Sequence, residues 1–302
     1  MKQENRSLTL RAVVVVLFLV PINCYWIFYT ENLWWMQFPT TMSLFFNVVF
    51  FLLAIAGPNL LLKKFLPGMT LSEGELLIIY MMMCIATSIS ALDCMQVLMP
   101  LMSHAFWFAT PENEWAELFW PYMPEWLTVS DLRILNAYYK GESSLYVARD
   151  ITAWFIPALS WTAFIVVLLF VMLCINVILR KQWLERERLI YPIIEVPFEI
   201  TRDVGSIFKN RLFLLSFTLT GLMTLINGIS FLHPAVPGIM LRQPDISYLF
   251  TNKPWNAISW TPLVIQPFVV GMGFLMPLEL SFSCWIFYFF RKFQRVFASL
   301  FG

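Results

Sequence analysis

The sequence predicts an all-α membrane protein, a polytopic bundle of about six transmembrane helices with an interfacial outer loop region. Three observations lead to this class. Apolar residues make up 59% of the 302 residues and charged residues only 13%, whereas soluble domains average nearly a half and a quarter. The apolar residues gather into runs of about 18 or more, long enough to cross the hydrocarbon core as helices. Lys and Arg are concentrated in alternate connections between those runs, as the positive-inside rule requires.

Six runs qualify as spans within a single membrane domain, 1–302. The first run is too long for a cleaved signal peptide and lacks a small-residue cleavage site, so we expect it to remain attached. The predicted spans are 12–29, 42–62, 76–102, 151–179, 212–232 and 260–290.

The basic residues orient these spans, because Lys and Arg in short connections resist translocation and mark the cytoplasmic side. Fifteen of the 20 basic residues fall before span one, after span two, between spans four and five, or after span six. This distribution predicts that both termini lie in the cytoplasm. The fifteen are Lys2, Arg6, Arg11, Lys63, Lys64, Arg180, Lys181, Arg186, Arg188, Arg202, Lys209, Arg211, Arg291, Lys292 and Arg295.

Two connections are long enough to hold structure of their own. The outer loop, 103–150, mixes tryptophans with glutamates, and aromatic rings at headgroup depth are its ordinary explanation. A vestibule that gathers substrate is the alternative. The cytoplasmic loop, 180–211, contains Pro192 and Pro197 among charged and apolar residues, which predicts a broken interfacial helix and a turn.

Several classes of function are disfavoured by the composition. A net charge of +1 does not suit a nucleic-acid partner, which requires a basic surface. The five cysteines lie in apolar runs without metal-ligand spacing and the two histidines stand alone, so we expect no disulfide and no metal. Enzyme motifs and phosphate-cradling loops are also missing from the sequence, so we expect neither a cofactor nor enzymatic activity.

Asp93 is a polar residue in span three and the first candidate for a functional group. A charge at the centre of a span costs about 2.5–3.5 kcal/mol, so such residues face protein or water. Ser90 and Gln96 accompany it in a polar ribbon that winds part of the way round the helix. The structural alternative places Asp93 near the outer end of its span, where its cost is smaller.

Glu279 in span six is the second candidate. Glycine and proline before it predict an interrupted helix, which is tolerated at membrane depth only where the freed backbone groups line a cavity or bind something. A protonated acid that holds helices together is the alternative interpretation. The neighbouring residues of interest are Gly271, Gly273 and Pro277 before Glu279, and Ser281 and Ser283 after it.

A short repeat links the two candidate spans. Leu-Met-Pro-Leu occurs at 98–101, around Pro100, and again at 275–278. The two spans run in opposite directions in the predicted topology, so the match suggests an inverted repeat of three helices plus three. Coincidence in a Leu- and Met-rich chain is the alternative.

Longer segments resemble a large uncharacterised family of bacterial multi-pass membrane proteins, which is itself distantly similar to the oligopeptide transporter superfamily. The segments are 69–76 (MTLSEGEL), 106–115 (FWFATPENEW), 180–183 (RKQW), 187–192 (ERLIYP) and 277–283 (PLELSFS). Members of that family are about twice as long, so the resemblance implies that this chain corresponds to the N-terminal half. That family mainly has Asp after Pro-Leu, whereas this chain has Glu279, which keeps the charge and lengthens its reach.

The resemblance implies a secondary transporter of the bacterial inner membrane, which takes up peptides or related small solutes coupled to protons. Glu279 would then carry the proton or contact the solute, and Asp93 with Gln96 would form a second polar wall. A C-terminal half, a second chain or a second copy would complete the protein. Two alternatives remain at this point: a membrane scaffold or assembly subunit that transports nothing, and an intramembrane enzyme acting on lipid that uses the acids and His104.

Overall fold

The computed structural model describes residues 8–33, 39–41, 44–141, 143–144, 146–187, 191–239, 242–264 and 267–301. Lys2, Arg6, Arg188 and the terminal Gly302 lie outside these ranges, as do residues 189 and 190 of the ERLIYP segment. The described part of the chain is mainly helical, which confirms the all-α class. Its α-helices are α1 Leu10–Phe28, α2 Phe46–Phe65, α3 Glu73–Ile89, α4 Val97–Trp107, α5 Trp115–Leu118, α6 Leu132–Lys140, α7 Ala148–Lys181, α8 Pro192–Ile207, α9 Arg211–Leu232, α10 Pro267–Leu275 and α11 Leu278–Phe301.

Five helical stretches among the described residues are long and apolar enough to cross a membrane. They are compatible with a multi-pass membrane protein and overlap the first five predicted spans. The stretches are Leu10–Leu33, Phe46–Phe65, Pro67–Trp107, Ala148–Arg186 and Arg211–Leu232. None of the apolar window of Ala148–Arg186 is buried within the chain, so lipid or another polypeptide is needed to cover it.

The third of these stretches is broken inside the predicted span 76–102. Helix α3 ends at Ile89, and Ala91 has an extended conformation (φ −59°, ψ 155°). A π-helical turn, Leu92–Gln96, then leads into α4. Such a turn and the extended residue before it withdraw backbone groups from the regular i to i−4 pattern, so the break exposes carbonyl groups to other partners.

The sixth predicted span, 260–290, does not form one helix. It begins with the short strand β2, Pro262–Val264, which pairs antiparallel with β1, Arg242–Asp245, and it continues as α10 and α11 with Pro277 between them. Proline has no backbone N–H to donate and its ring clashes with the preceding turn, which accounts for the interruption at this position.

Helix α11 also folds back instead of continuing α10. Lys292 Nζ donates hydrogen bonds to Ile258 O (3.1 Å), Trp260 O (2.8 Å) and Thr261 Oγ1 (2.8 Å). In a straight helix, residue 292 would lie about 38 Å from residue 267, while the six residues from 261 to 267 extend about 20 Å at most. The segment 260–290 therefore does not form one straight helix, because the chain reverses near Pro277.

The described residues divide into two compact units. One contains the described residues of 9–48 and 78–189, and the other contains those of 1–8, 49–77 and 190–302. The first unit has an apolar core built by the predicted outer loop and its flanking helices: Met102, Phe106, Val129, Ile134, Leu135 and Trp154. Two loop contacts support this core, in which Trp120 Nε1 donates to Ala105 O and Trp161 Nε1 donates to Leu127 O, both at 3.0 Å. The outer loop thus has a tertiary structure of its own.

The second unit includes the predicted cytoplasmic loop. Helix α8 begins at Pro192, continues through the buried Pro197, and is kinked at Asp203. It approaches α2 so closely that a methyl group on Gly205 would lie 3.4 Å from Leu60 Cδ1. At the strand pair of this unit, hydrogen bonds from the Ser247 hydroxyl and from the Thr261 backbone hold the pKa of Asp245 below its ordinary value.

Candidate functional site

A cluster of buried amide and hydroxyl side chains joins α1, α2 and α3 within the first unit. Asn23, Asn47 and Thr87 are each 0% exposed. Asn47 Nδ2 donates to Asn23 Oδ1 (2.7 Å) and to Thr87 Oγ1 (3.1 Å), and Asn23 Nδ2 donates to Thr87 Oγ1 (2.9 Å). Each residue comes from a different membrane-length helix, so the cluster fixes how these three helices pack.

One atom of this cluster has no partner. Asn47 Oδ1 is a buried acceptor that accepts no hydrogen bond from the described residues. An unpaired buried acceptor costs about 1–3 kcal/mol, and such atoms in proteins call for an explanation such as a bound water or ion. Asn47 Oδ1 is therefore open to a hydrogen-bond donor that the chain itself does not supply.

A fully buried carboxylate lies near the end of the first stretch. Glu31 is 0% exposed and belongs to the π-helical turn Tyr29–Leu33 that follows α1. Its Oε1 accepts from Thr40 N (3.1 Å) and Thr40 Oγ1 (2.6 Å), and its Oε2 accepts from Gln96 Nε2 (2.8 Å). Three donors surround this carboxyl group, and no cation pairs with it among the residues described.

Gln96 connects this carboxylate to the break in the third stretch. Its Nε2 also donates to Ser90 O (3.0 Å), and its Oε1 accepts from Asn32 Nδ2 (2.7 Å). Ser90 itself is tied to α1 by a contact of 3.1 Å between its Oγ and Cys24 Sγ. The π-helical turn thus places Gln96 where one side chain contacts both the buried acid and a backbone carbonyl at the break.

These contacts define the candidate site as the buried polar cluster of Asn23, Glu31, Asn47, Thr87 and Gln96. A family model covers residues 2–302 of the chain, which is nearly its whole length. The chain belongs to DUF6785, a family of unknown function. Neither a curated protein nor a solved structure gives a significant match. The match shows membership of an uncharacterised family, and the relation to oligopeptide transporters remains a proposal.

In this DUF6785 chain the structure brings together two of the predicted site residues, Gln96 and Ser90. Asp93 lies on the same π-helical turn but is exposed, and it makes no hydrogen bond or ion pair with the residues described. Its side chain therefore points away from the partners that hold Gln96.

Glu279 belongs to the second unit and is exposed in the first turn of α11. Its backbone oxygen accepts a hydrogen bond from Ser283 Oγ (2.7 Å), and Ser281 is exposed beside it. An acid in the first turn complements the positive end of the helix dipole. The described residues give Glu279 no side-chain partner.

The four residues named as helix breakers have different surroundings. Pro277 lies at the break between α10 and α11, whereas Gly271 and Gly273 lie inside α10. Pro100 is the fourth residue of α4, which follows directly on the π-helical turn Leu92–Gln96. The two Leu-Met-Pro-Leu segments therefore differ locally, since the break in the third stretch precedes Pro100 by several residues at Ala91.

Asn23, Asn47 and Glu31 were not identified from the sequence as site residues. Thr87 was also not identified as a residue that holds neighbouring helices together. Asn23, Asn47 and Thr87 could have been found, because asparagine and threonine inside apolar spans typically bond across helices. Glu31 was harder to find, since the predicted span ended at Tyr29 and the acid appeared to belong to a loop. The DUF6785 chain extends that helix by a π-helical turn, which buries the acid. Among the described residues there is no group of three potential metal ligands.

Proposed function

We propose that this chain is a secondary transporter, or part of one, that moves a small polar solute across the membrane in a process coupled to protons. The observation that supports this most strongly is the contact between a fully buried carboxyl group, Glu31, and the broken third helix through Gln96. The proposed relation to oligopeptide transporters makes peptides or related small solutes the substrate class.

Glu31 is the residue that we propose to carry the proton. An ionised carboxyl accepts from all three of its donors, whereas a protonated carboxyl has one O–H that must itself find an acceptor. Protonation of Glu31 removes the negative charge that strengthens its hydrogen bond from Gln96 Nε2. Because Gln96 Nε2 also donates to Ser90 O, the charge of Glu31 is coupled to the geometry of the break.

The amide-rich part of the cluster is the proposed contact for the solute. Asn47 Oδ1 is buried and free to accept a hydrogen bond, which suits an N–H or O–H group on the cargo. Broken helices at membrane depth are where transporters place their sites, because the freed backbone groups need partners there. Glu279, beside the second break at Pro277, remains a second candidate for carrying a proton.

A transport experiment tests this proposal. The complete natural protein is placed in liposomes containing a pH-sensitive dye, and a library of di- and tripeptides is screened for proton-coupled uptake. Glu31→Gln should abolish uptake driven by a pH gradient while solute exchange without a gradient persists. Glu117→Gln, which changes an exposed acid in the outer loop, is the control and should behave as wild type. Gradient-driven uptake that is unchanged in Glu31→Gln removes this residue from the mechanism.

A scaffold or assembly subunit is the second candidate function. It is favoured by the nearly complete hydrogen bonding of the cluster, since all of its buried polar side-chain atoms except Asn47 Oδ1 have partners. A cluster that only joins helices would show substitutions that change stability and no flux with any solute. A second copy or a second chain would then cover the apolar faces of α7.

A further inference from the structure

The second unit contains a hollow of about 420 Å³ between α2, α8 and α9. Its volume is within the range of small-molecule sites, which is about 300–1,000 Å³. The walls expose only carbon atoms. The lining includes Val49 and Leu53 of α2, Glu195, Glu199 and Ile200 of α8, and Phe213 and Phe217 of α9.

Two carboxylates stand at the edge of this hollow. Glu195 and Glu199 are one helical turn apart on α8, so they lie on the same face of the helix. Their aliphatic stems contribute to the lining, and both residues are exposed. Neither makes a hydrogen bond or an ion pair with any residue that the structure describes.

The position of α8 makes those charges significant. The helix lies beside α2, which is long and apolar enough to cross a membrane, and the acids adjoin Val49 and Leu53 in its first half. Two carboxylates one helical turn apart repel each other, and a cation placed beside both of them relieves that repulsion. The hollow thus has apolar walls and two negatively charged side chains, Glu195 and Glu199, at its edge.

We infer that this hollow is a binding site for an organic cation with an apolar body, which places the body against Phe213, Phe217 and Leu53 and the charge beside Glu195 and Glu199. The phenylalanine rings add an attraction for a cation over their faces. The site is distinct from the buried polar cluster of the first unit, so the inference goes beyond the proposed function and does not depend on it.

The test is a binding measurement with two probes of the same shape and opposite charge. Tetraphenylphosphonium and tetraphenylborate are titrated against the full chain in nanodiscs of phosphatidylcholine, with empty nanodiscs subtracted. The wild type should bind the cation saturably and the anion not at all. Glu195→Gln with Glu199→Gln keeps the shape of the rim and removes its charge, and it should weaken cation binding about tenfold or more. Leu53→Trp should fill the hollow and abolish binding.

The matched control is Glu185→Gln with Glu187→Gln, which removes the same charge from the π-helical turn Gln182–Arg186 and the residue after it. This variant should bind the cation as wild type does. Equal binding of both probes, or cation affinity that is unchanged in the Glu195/Glu199 variant, overturns the inference. The measurement needs no gradient and no flux. A failure here therefore leaves the transport proposal standing, and a failure of Glu31→Gln to affect transport leaves this site standing.

Discussion

Thr87 has the central position in the polar cluster because its hydroxyl oxygen accepts from two amides, Asn23 Nδ2 and Asn47 Nδ2. Both donors are buried and come from other membrane-length helices. In lipid the helices gain little from apolar contact with each other, so hydrogen bonds and close packing set their arrangement. The hydroxyl group of one threonine therefore contributes to the packing of three helices.

Thr87→Val keeps the shape of the side chain and removes this acceptor. Asn23 Nδ2 then has no partner, and we expect a loss of about 1–3 kcal/mol in the free energy of unfolding, the cost of an unpaired buried donor. Ser88→Ala on the same helix is the control. Its hydroxyl group is exposed and donates only to Cys84 O, so we expect a change within about 0.5 kcal/mol. Unfolding in detergent, followed by near-ultraviolet circular dichroism, compares the two. Equal stability of both variants would contradict the role given to Thr87.

Elements differ in how well the sequence predicts them. The first five helices follow from length and hydropathy alone, because a run of apolar residues in a membrane has only the helix available. Span three lies within the helical stretch Pro67–Trp107, but the break at Ala91 was not located, because no glycine or proline marks it. Gln96 was identified for its polarity, whereas its partner Glu31 depends on a π-helical turn that no local pattern announces.

Helices α10 and α11 show that a hydropathy profile does not predict the direction of the chain after a break. Composition alone assigned 260–290 to one crossing and the proline predicted an interruption, and the structure has two helices there, α10 and α11. The direction of the chain after that interruption is set by tertiary contacts, chiefly those of Lys292 with the backbone before β2. The ammonium group of Lys292 and the two carbonyl groups thereby satisfy one another's hydrogen bonds. At the end of a straight helix, the same ammonium group would bind water instead.

Spin labels at residues 268 and 290 measure this reversal directly. Both positions are exposed, and a straight helix would separate them by about 33 Å. The reversal near Pro277 predicts a distance well below that value in double electron–electron resonance. Labels at residues 212 and 232 of the unbroken α9 provide a scale, because they should be about 30 Å apart. A distance near 33 Å between 268 and 290 would restore the single crossing.

At the scale of the whole molecule, the reversal near Pro277 bears on the predicted topology. Arg291, Lys292 and Arg295 were placed in the cytoplasm and the connection around Lys253 outside. The structure brings the two regions together, since Asn256 and Ala298 line one cavity, which is separate from the hollow between α2, α8 and α9. If both regions lie outside the bilayer, they occupy the same side of it, and one of them then departs from the positive-inside pattern.

Cysteine labelling decides between the two arrangements. Asn256→Cys and Ala298→Cys are made one at a time in a chain whose five native cysteines have been replaced. A membrane-impermeant maleimide is applied to intact cells, with Glu117→Cys and Lys63→Cys as markers for the two sides. The fold-back predicts that positions 256 and 298 label alike, both or neither, because the contacts of α11 hold them together. Six straight crossings predict the opposite, with 256 labelled and 298 protected until the membrane is opened. Opposite labelling would mean that α11 crosses the bilayer, and the contacts of Lys292 would then have to be absent from the membrane-embedded protein.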